Sequence, residues 1–383
     1  MTLRVQSVLG VSIALLAAAG CSTGGFDGFD RQPTAPAADF AERPAESAPA
    51  PVNPAWWTAL NDPTLDALIA LALADNRDLA AAEAELGRAR SLAAVQGWTL
   101  LPFGNVFGSA SRTRRAASLD GLEDSYSDTD LYSVGLEASW EADLWGRLRA
   151  STRAARLDAA AIEAARRGVA SAVAAETAAA YIALRGAEAR LAAAVTNAES
   201  QAETLRLTED MRSAGRGSGL DVARAREQLA TTQAEIPLLE ADRAAAGYAL
   251  DILIGGGPGA AATLIATQGA IPVPPTAPGL GAPEELLRRR PDIVEAEARL
   301  NAAVARVDAV RVDWWPRVTL VGGAGFDALQ LSDLGDEPSF SYQIGPRIDW
   351  PALDFRRNEL RSEAARYGAE AEFIRYDQAI AAD

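Results

Sequence analysis

Tyr132-Ser133-Val134-Gly135-Leu136-Glu137-Ala138-Ser139-Trp140-Glu141 alternates apolar and polar residues over ten positions. Phe340, Tyr342, Ile344, Ile348 and Trp350 alternate with Ser341, Gln343, Gly345, Arg347 and Asp349 in the same way. Period-2 alternation predicts strands with one apolar and one polar face. A soluble sandwich would turn the apolar face inward. A membrane barrel would set it against lipid, with the polar face lining a wet lumen and aromatics near the rims. The alternation leaves both open.

Working outward, Phe103–Arg114 and Arg317–Phe326 are the expected partner strands, joined through loops Arg115–Thr129 and Asp327–Ser339 that are rich in Asp, Ser and Gly. The two halves are copies. Gly135…Trp140…Ala154-Ala155-Arg156 matches Gly345…Trp350…Ala364-Ala365-Arg366 at an offset of 210. Asn76-Arg77-Asp78-Leu79…Leu101-Pro102 matches Arg290-Pro291-Asp292-Ile293…Trp315-Pro316 at 214. Self-similarity over a whole supersecondary unit is evidence of architecture. The second copy is expected to be incomplete, because 383 less 210 is 173, whereas the helices of the first copy run on to about Leu253.

The second half of the first copy is an alanine-rich stretch with no proline from Gly146 until Pro237. Val173, Thr177, Ala180, Leu184, Ala187, Leu191, Ala194 and Ala198 step by fours and threes, a heptad seam whose small knobs admit close partner helices. A helix from Gly146 to about Arg212 would be on the order of 100 Å long, which implies a coiled-coil projection or a helical barrel. Gly215-Arg216-Gly217-Ser218-Gly219 breaks it, and Leu220-Asp221-Val222 opens a return helix. Glycine ends helices by adopting left-handed angles, and Ser218 can cap the next one. Upstream, Asn61-Asp62-Pro63 predicts a helix start with apolar positions Leu65, Leu68, Ile69 and Leu73, and a second helix spans about Asp78 to Gly97.

The chain has no histidine, and all 36 of its basic residues are arginine. That removes imidazole bases and ligands, Schiff-base lysines and phosphate-loop lysines together; no cofactor or metal is called for. A net charge of −16 argues against nucleic acid. Carboxylates such as Asp292 and Glu295 occur where helix starts favour acids, and no nucleophile–base pair is visible. Arg4 followed by the apolar segment Val8–Gly20 reads as a cleaved signal. Ala18-Ala19-Gly20-Cys21 resembles a bacterial lipobox, which would make Cys21, the only cysteine, a lipidation site. Ser22 after it favours outer-membrane sorting by the same resemblance.

These residues resemble the TolC-type outer-membrane efflux factors, specifically the lipoprotein (OprM/NodT-like) branch. The resemblance rests on Trp56-Trp57…Asp62-Pro63…Leu65, Asn76-x-Asp78-Leu79, Asp143-Leu144-Trp145-Gly146-Arg147, Ala179-Ala180-Tyr181…Leu184-Arg185 and Gly215-x-x-Ser218-x-Leu220-Asp221-Val222. The most specific stretch is Pro283-Glu284-Glu285-Leu286-Leu287-Arg288-Arg289-Arg290-Pro291-Asp292-Ile293. The fold it implies is mixed and mainly α: long antiparallel coiled-coil hairpins forming an α-barrel, plus four β-strands given to a trimeric transmembrane β-barrel. Domains follow as 1–20 signal peptide, 21–55 lipidated tether, 56–254 first repeat, 255–282 Gly/Pro linker and 283–383 second, incomplete repeat.

The resemblance further implies a homotrimer in outer-membrane lipid, acting as a passive exit duct for drugs or other small molecules. Its partners would be a periplasmic adaptor (membrane fusion) protein and an inner-membrane RND-type pump. Gly215, Ser218, Leu220 and Asp221 would form the adaptor-contacting hairpin tip, and Glu137, Glu141, Arg347 and Asp349 would face the lumen. Arg288, Arg289, Arg290 and Asp292 are expected to pair about a helix start. Copy two lacks a glycine matching Gly146, and the return helix and second glycine tip have no counterpart before Asp383. The competing reading is a periplasmic coiled-coil lipoprotein without a pore, or a non-functional fragment.

Overall fold

A computed structural model describes residues 28–29, 54–115, 127–265, 269–273 and 287–381. The signal segment, Cys21, most of the tether and linker, and Pro283–Leu286 lie outside the described residues. The elements run α1 (Pro63–Asp75), α2 (Arg77–Trp98), β1 (Phe103–Arg115), β2 (Ser127–Ala142), α3 (Arg147–Ser213), α4 (Gly219–Leu253), α5 (Pro291–Arg311), β3 (Arg317–Ala328), β4 (Phe340–Asp349) and α6 (Phe355–Ala381). The chain divides into two compact units, one built on 88–161 and 296–381 and the other on 54–87 and 162–295.

The first unit carries a four-stranded antiparallel meander in the order β1-β2-β3-β4. Both hairpins share one register: Phe103 opposes Ser139 and Arg317 opposes Asp349, which are the same positions at offsets 214 and 210. Tryptophans lock the copies identically. The Trp140 indole N–H donates to the Leu100 carbonyl at 3.0 Å, and that of Trp350 donates to the Trp314 carbonyl at 3.0 Å. Trp145 stacks on Trp315 with ring centroids 4.8 Å apart and donates to the Pro316 carbonyl. Away from the sheet, Ala303, Val307 and Ala369 pack with Ala365 and Phe29.

Strand-to-helix turns differ between the copies. In the first, Gly146 takes φ +82° and the Asp143 carboxylate accepts the backbone N–H groups of Leu148 and Arg149, capping α3. In the second, Asp354 N–H bonds to the Pro351 carbonyl and Asn358 N–H to that of Asp354, with no left-handed residue among 350–358. Proline's fixed φ makes a turn there that needs no glycine.

In the second unit, Asp62 caps α1 by accepting from the N–H groups of Thr64 and Leu65. The apolar face that follows, Leu65, Leu68, Ile69 and Ala72, is wholly buried against Val173, Ala174, Ala178, Tyr181 and Leu184 of α3 and Leu250 of α4. Most of the heptad seam is on the inside: Val173, Thr177, Leu184, Ala187, Ala194 and Ala198 are buried, while Ala180 and Leu191 are half-buried. α4 runs through Pro237 without ending there. Arg290 grips Asp292 through two hydrogen bonds at the start of α5, holding that carboxyl below the usual range.

Candidate functional site

The register sorts every residue of the sheet onto one of two faces. Val106, Tyr132, Val134, Leu136, Trp140, Leu320, Phe326, Phe340, Tyr342, Ile344 and Ile348 share one face, mutually in line across the ladders. Most are exposed: Val106 is 78% accessible, Tyr342 76% and Ile344 74%. An apolar surface this continuous is not left to water in a soluble monomer. Toward the β1–β2 loop it ends at cross-strand charge pairs, Arg112 beside Asp130 and Arg114 on Asp128. Among the described residues, no helix is long and apolar enough to cross a membrane.

The opposite face is polar, and all four charged residues singled out in the sequence lie on it. Glu137 sits in a row with Asn105, Gly323 and Gln343, while Arg347 opposes Thr319 and Asp349 opposes Arg317. Glu141 lies there too, but its carboxylate is taken: Arg147, the first residue of α3, contacts both oxygens at 2.9 and 2.8 Å. The Gly146 turn places that guanidinium, so Glu141 braces a strand–helix junction.

Two features of this face are not apparent from the alternation of β2 and β4. Asp327 extends β3 beyond its expected end at Phe326, and its carboxylate accepts from Ser133 at 2.6 Å and Ser341 at 2.8 Å, tying three strands together. Glycines at 322, 323 and 325 weaken the strand signal ahead of Asp327 by lowering β propensity. The period-2 spacing of 323, 325 and 327 is the signal that carries it. Gly135 and Gly325 face each other so closely that a Cβ on Gly325 would lie 2.5 Å from the Val134 carbonyl oxygen. Phe107 covers this spot, its ring edge 3.0 Å from where a Cβ of Gly135 would be.

In the second unit, α3 ends in a turn that satisfies its last carbonyls. Gly215 takes φ +75°, its N–H bonds to the Arg212 carbonyl, and Arg216 N–H reaches back to Met211. This is the Schellman geometry. Ser218 and Asp221 form a reciprocal capping box at the start of α4, and the Ser218 bonds hold the Asp221 carboxyl below its ordinary range. Leu220 is exposed, as are Leu207 and Met211 on the approach to the turn.

A family model described as outer membrane efflux protein matches residues 68–256 and 282–382. The pyoverdine export outer membrane protein OpmQ of Pseudomonas aeruginosa is 34% identical over 322 residues, 83% of this chain and 66% of its own length. OpmQ of Pseudomonas putida is 34% identical over 382 residues, 97% of this chain and 77% of its own length. The solved outer-membrane channel OprN superposes with a TM-score of 0.85 at 34% identity, covering 94% of this chain and 80% of that one. The chain thus spans about two thirds to three quarters of the length of these curated relatives.

Proposed function

The chain belongs to the outer membrane efflux protein family, and from that membership we propose that it is the outer-membrane channel subunit of a tripartite efflux pump, a passive exit duct with no catalysis of its own. The observation that carries the reading is the two-faced sheet, with its exposed apolar surface backed by a polar one. Lipid is the solvent that the apolar face requires. β1 and β4 are edge strands whose outer backbone groups need partners. In a homotrimer, β1 of one copy pairs with β4 of the next, and the closed barrel turns the polar face to a water-filled lumen.

The α3–α4 hairpin belongs to the periplasmic part. Its tip, Gly215, Ser218, Leu220 and Asp221, meets the periplasmic adaptor protein, which joins the channel to an inner-membrane RND-type pump. The capped turn offers a rigid backbone beside the exposed Leu220 side chain, a combination suited to docking another helical hairpin. Cys21, once lipidated, adds an anchor to the outer membrane. Drugs or other small molecules are the solutes that such a duct would carry.

Outer-membrane fractionation followed by gel analysis with and without boiling tests the proposal. A heat-modifiable trimer that forms conducting channels in planar bilayers is the expected result. Release by mild detergent as a monomer would instead support a coiled-coil lipoprotein without a pore.

A further inference from the structure

The two hairpins are copies, yet at one position they carry opposite charge. At offset 210, Glu137 of β2 corresponds to Arg347 of β4; at offset 214, their ladder partners Asn105 and Thr319 correspond as well. Glu137 lies directly across from Gly323, four positions along β3 from Thr319. The hairpins are thus staggered by four residues, as tilted strands in a barrel must be, and Glu137 and Arg347 come to the same level. Compared position by position, the polar face has no other level among the described residues where both hairpins bear a charge.

The two groups are free to act. Two strand spacings and four residues of stagger set their backbones about 16 Å apart, beyond ion-pair reach. Each stands beside a neutral residue, and neither side chain has an ion pair or hydrogen bond among the described residues. Gly323 sets no side chain of its own beside Glu137, whose Cγ lies 3.9 Å from where a Cβ of Gly323 would be. The nearby acids are accounted for: Glu141, beyond Thr319, is held by Arg147, and Asp349, one level on from Arg347, corresponds to the uncharged Ser139.

We propose that Glu137 and Arg347 form a ring of alternating charge in the lumen, which holds ion selectivity in balance and favours zwitterionic solutes. This rests on the channel reading above. Wherever copies close into a barrel, β1–β2 and β3–β4 hairpins alternate around the axis, so acid and base alternate with them. Rings of charged side chains set pore selectivity. A ring with both signs cancels for a single charge on the axis, whereas off the axis, between neighbouring members, its field runs from base to acid and orients a solute carrying both signs.

Reversal potentials across planar bilayers in a KCl gradient test it, with Glu137→Gln, Arg347→Gln and the double variant beside the unmodified chain. Glu137→Gln should raise the chloride-to-potassium permeability ratio and Arg347→Gln should lower it. A unit charge about 10 Å from a passing ion in water changes that ion's permeation about twofold, and so the ratio of two ions of opposite sign about fourfold. The double variant should return close to the starting ratio. Liposome swelling with a zwitterionic amino acid, relative to a neutral sugar of similar size, should be fastest in the unmodified chain. Shifts of the same sign, or no shift in a conducting channel, would overturn the ring alone. Absence of conductance from the unmodified chain would sink the channel reading, and the ring with it.

Discussion

The hydroxyl of Tyr181 donates a hydrogen bond to Asp62 at 2.8 Å, joining the middle of α3 to the cap of α1 across 119 positions. One Asp62 oxygen holds the first turn of α1 and the other receives the phenol. Arg185 closes the cluster: almost fully buried, it donates to the Tyr181 oxygen and to Glu188. A buried guanidinium is tolerated only when its donors are met, so these residues form one polar assembly inside an apolar core. Tyr181→Phe should cost about 2–3 kcal/mol, because it removes the bond to Asp62 and leaves a buried Arg185 N–H without its acceptor. Asp62→Ala should cost about 2 kcal/mol, the cap and the bond from the phenol together, with the Arg185 bond to Tyr181 left in place. Urea unfolding checks both, and the double variant should cost less than the sum, since the two share a bond.

The same tyrosine predicts an alkaline limit. Burial is the largest cause holding its hydroxyl above the ordinary value of 10.0. A group whose pKa is raised on folding contributes stability in full below its unfolded value and loses it as pH rises through the folded value. Unfolding midpoints should therefore hold up to about pH 10 and fall above it. Tyr181→Phe should flatten that fall; an identical alkaline slope in the variant would assign the loss to other groups.

The glycines of the sheet should differ sharply in tolerance. A methyl on Gly135 meets the Ala324 carbonyl oxygen at 2.9 Å, and one on Gly325 meets backbone at 2.5 Å, so the strands must part to admit either. Gly345 has open space around it. Gly135→Ala and Gly325→Ala should each cost about 1–3 kcal/mol, the usual penalty of overpacking, whereas Gly345→Ala should be close to neutral. The temperature at which the folded band is lost on unboiled gels separates the three.

What could be read in the sequence, and what could not, follows from range. Alternation over ten residues located β2 and β4, and the heptad at Val173–Ala198 named the buried seam of α3, because both patterns repeat locally. The Asp62-Pro63 and Ser218…Asp221 caps were legible for the same reason. The polar end of β2, Ser127–Leu131, was not: its pairing with β1 depends on cross-strand partners such as Arg112 and Asp130. Nor was the capture of Glu141 by Arg147 legible, since alternation reports the face of a side chain and not its partner. Tyr181 and Asp62 could be quoted as separate motifs, but only folding brings them together.

The hairpin tip should weaken in acid. Hydrogen bonds from Ser218 are the leading cause of the lowered Asp221 pKa, so the carboxylate form belongs to the folded cap. A group with a depressed pKa contributes its stability above its unfolded value, here near 3.8, and loses it as pH falls through the folded one. Hydrogen exchange of the amides opening α4 should thus quicken relative to mid-helix amides below about pH 4. Asp221→Asn should remove that pH dependence, and Ser218→Ala should speed the same amides at neutral pH by removing the oxygen that accepts the Asp221 N–H. If the tip docks the adaptor through this turn, Ser218→Ala should also weaken adaptor binding while leaving channel conductance unchanged. Equal binding by both forms would move the contact off the turn and onto the flanking helix faces, where Leu207 and Met211 are exposed.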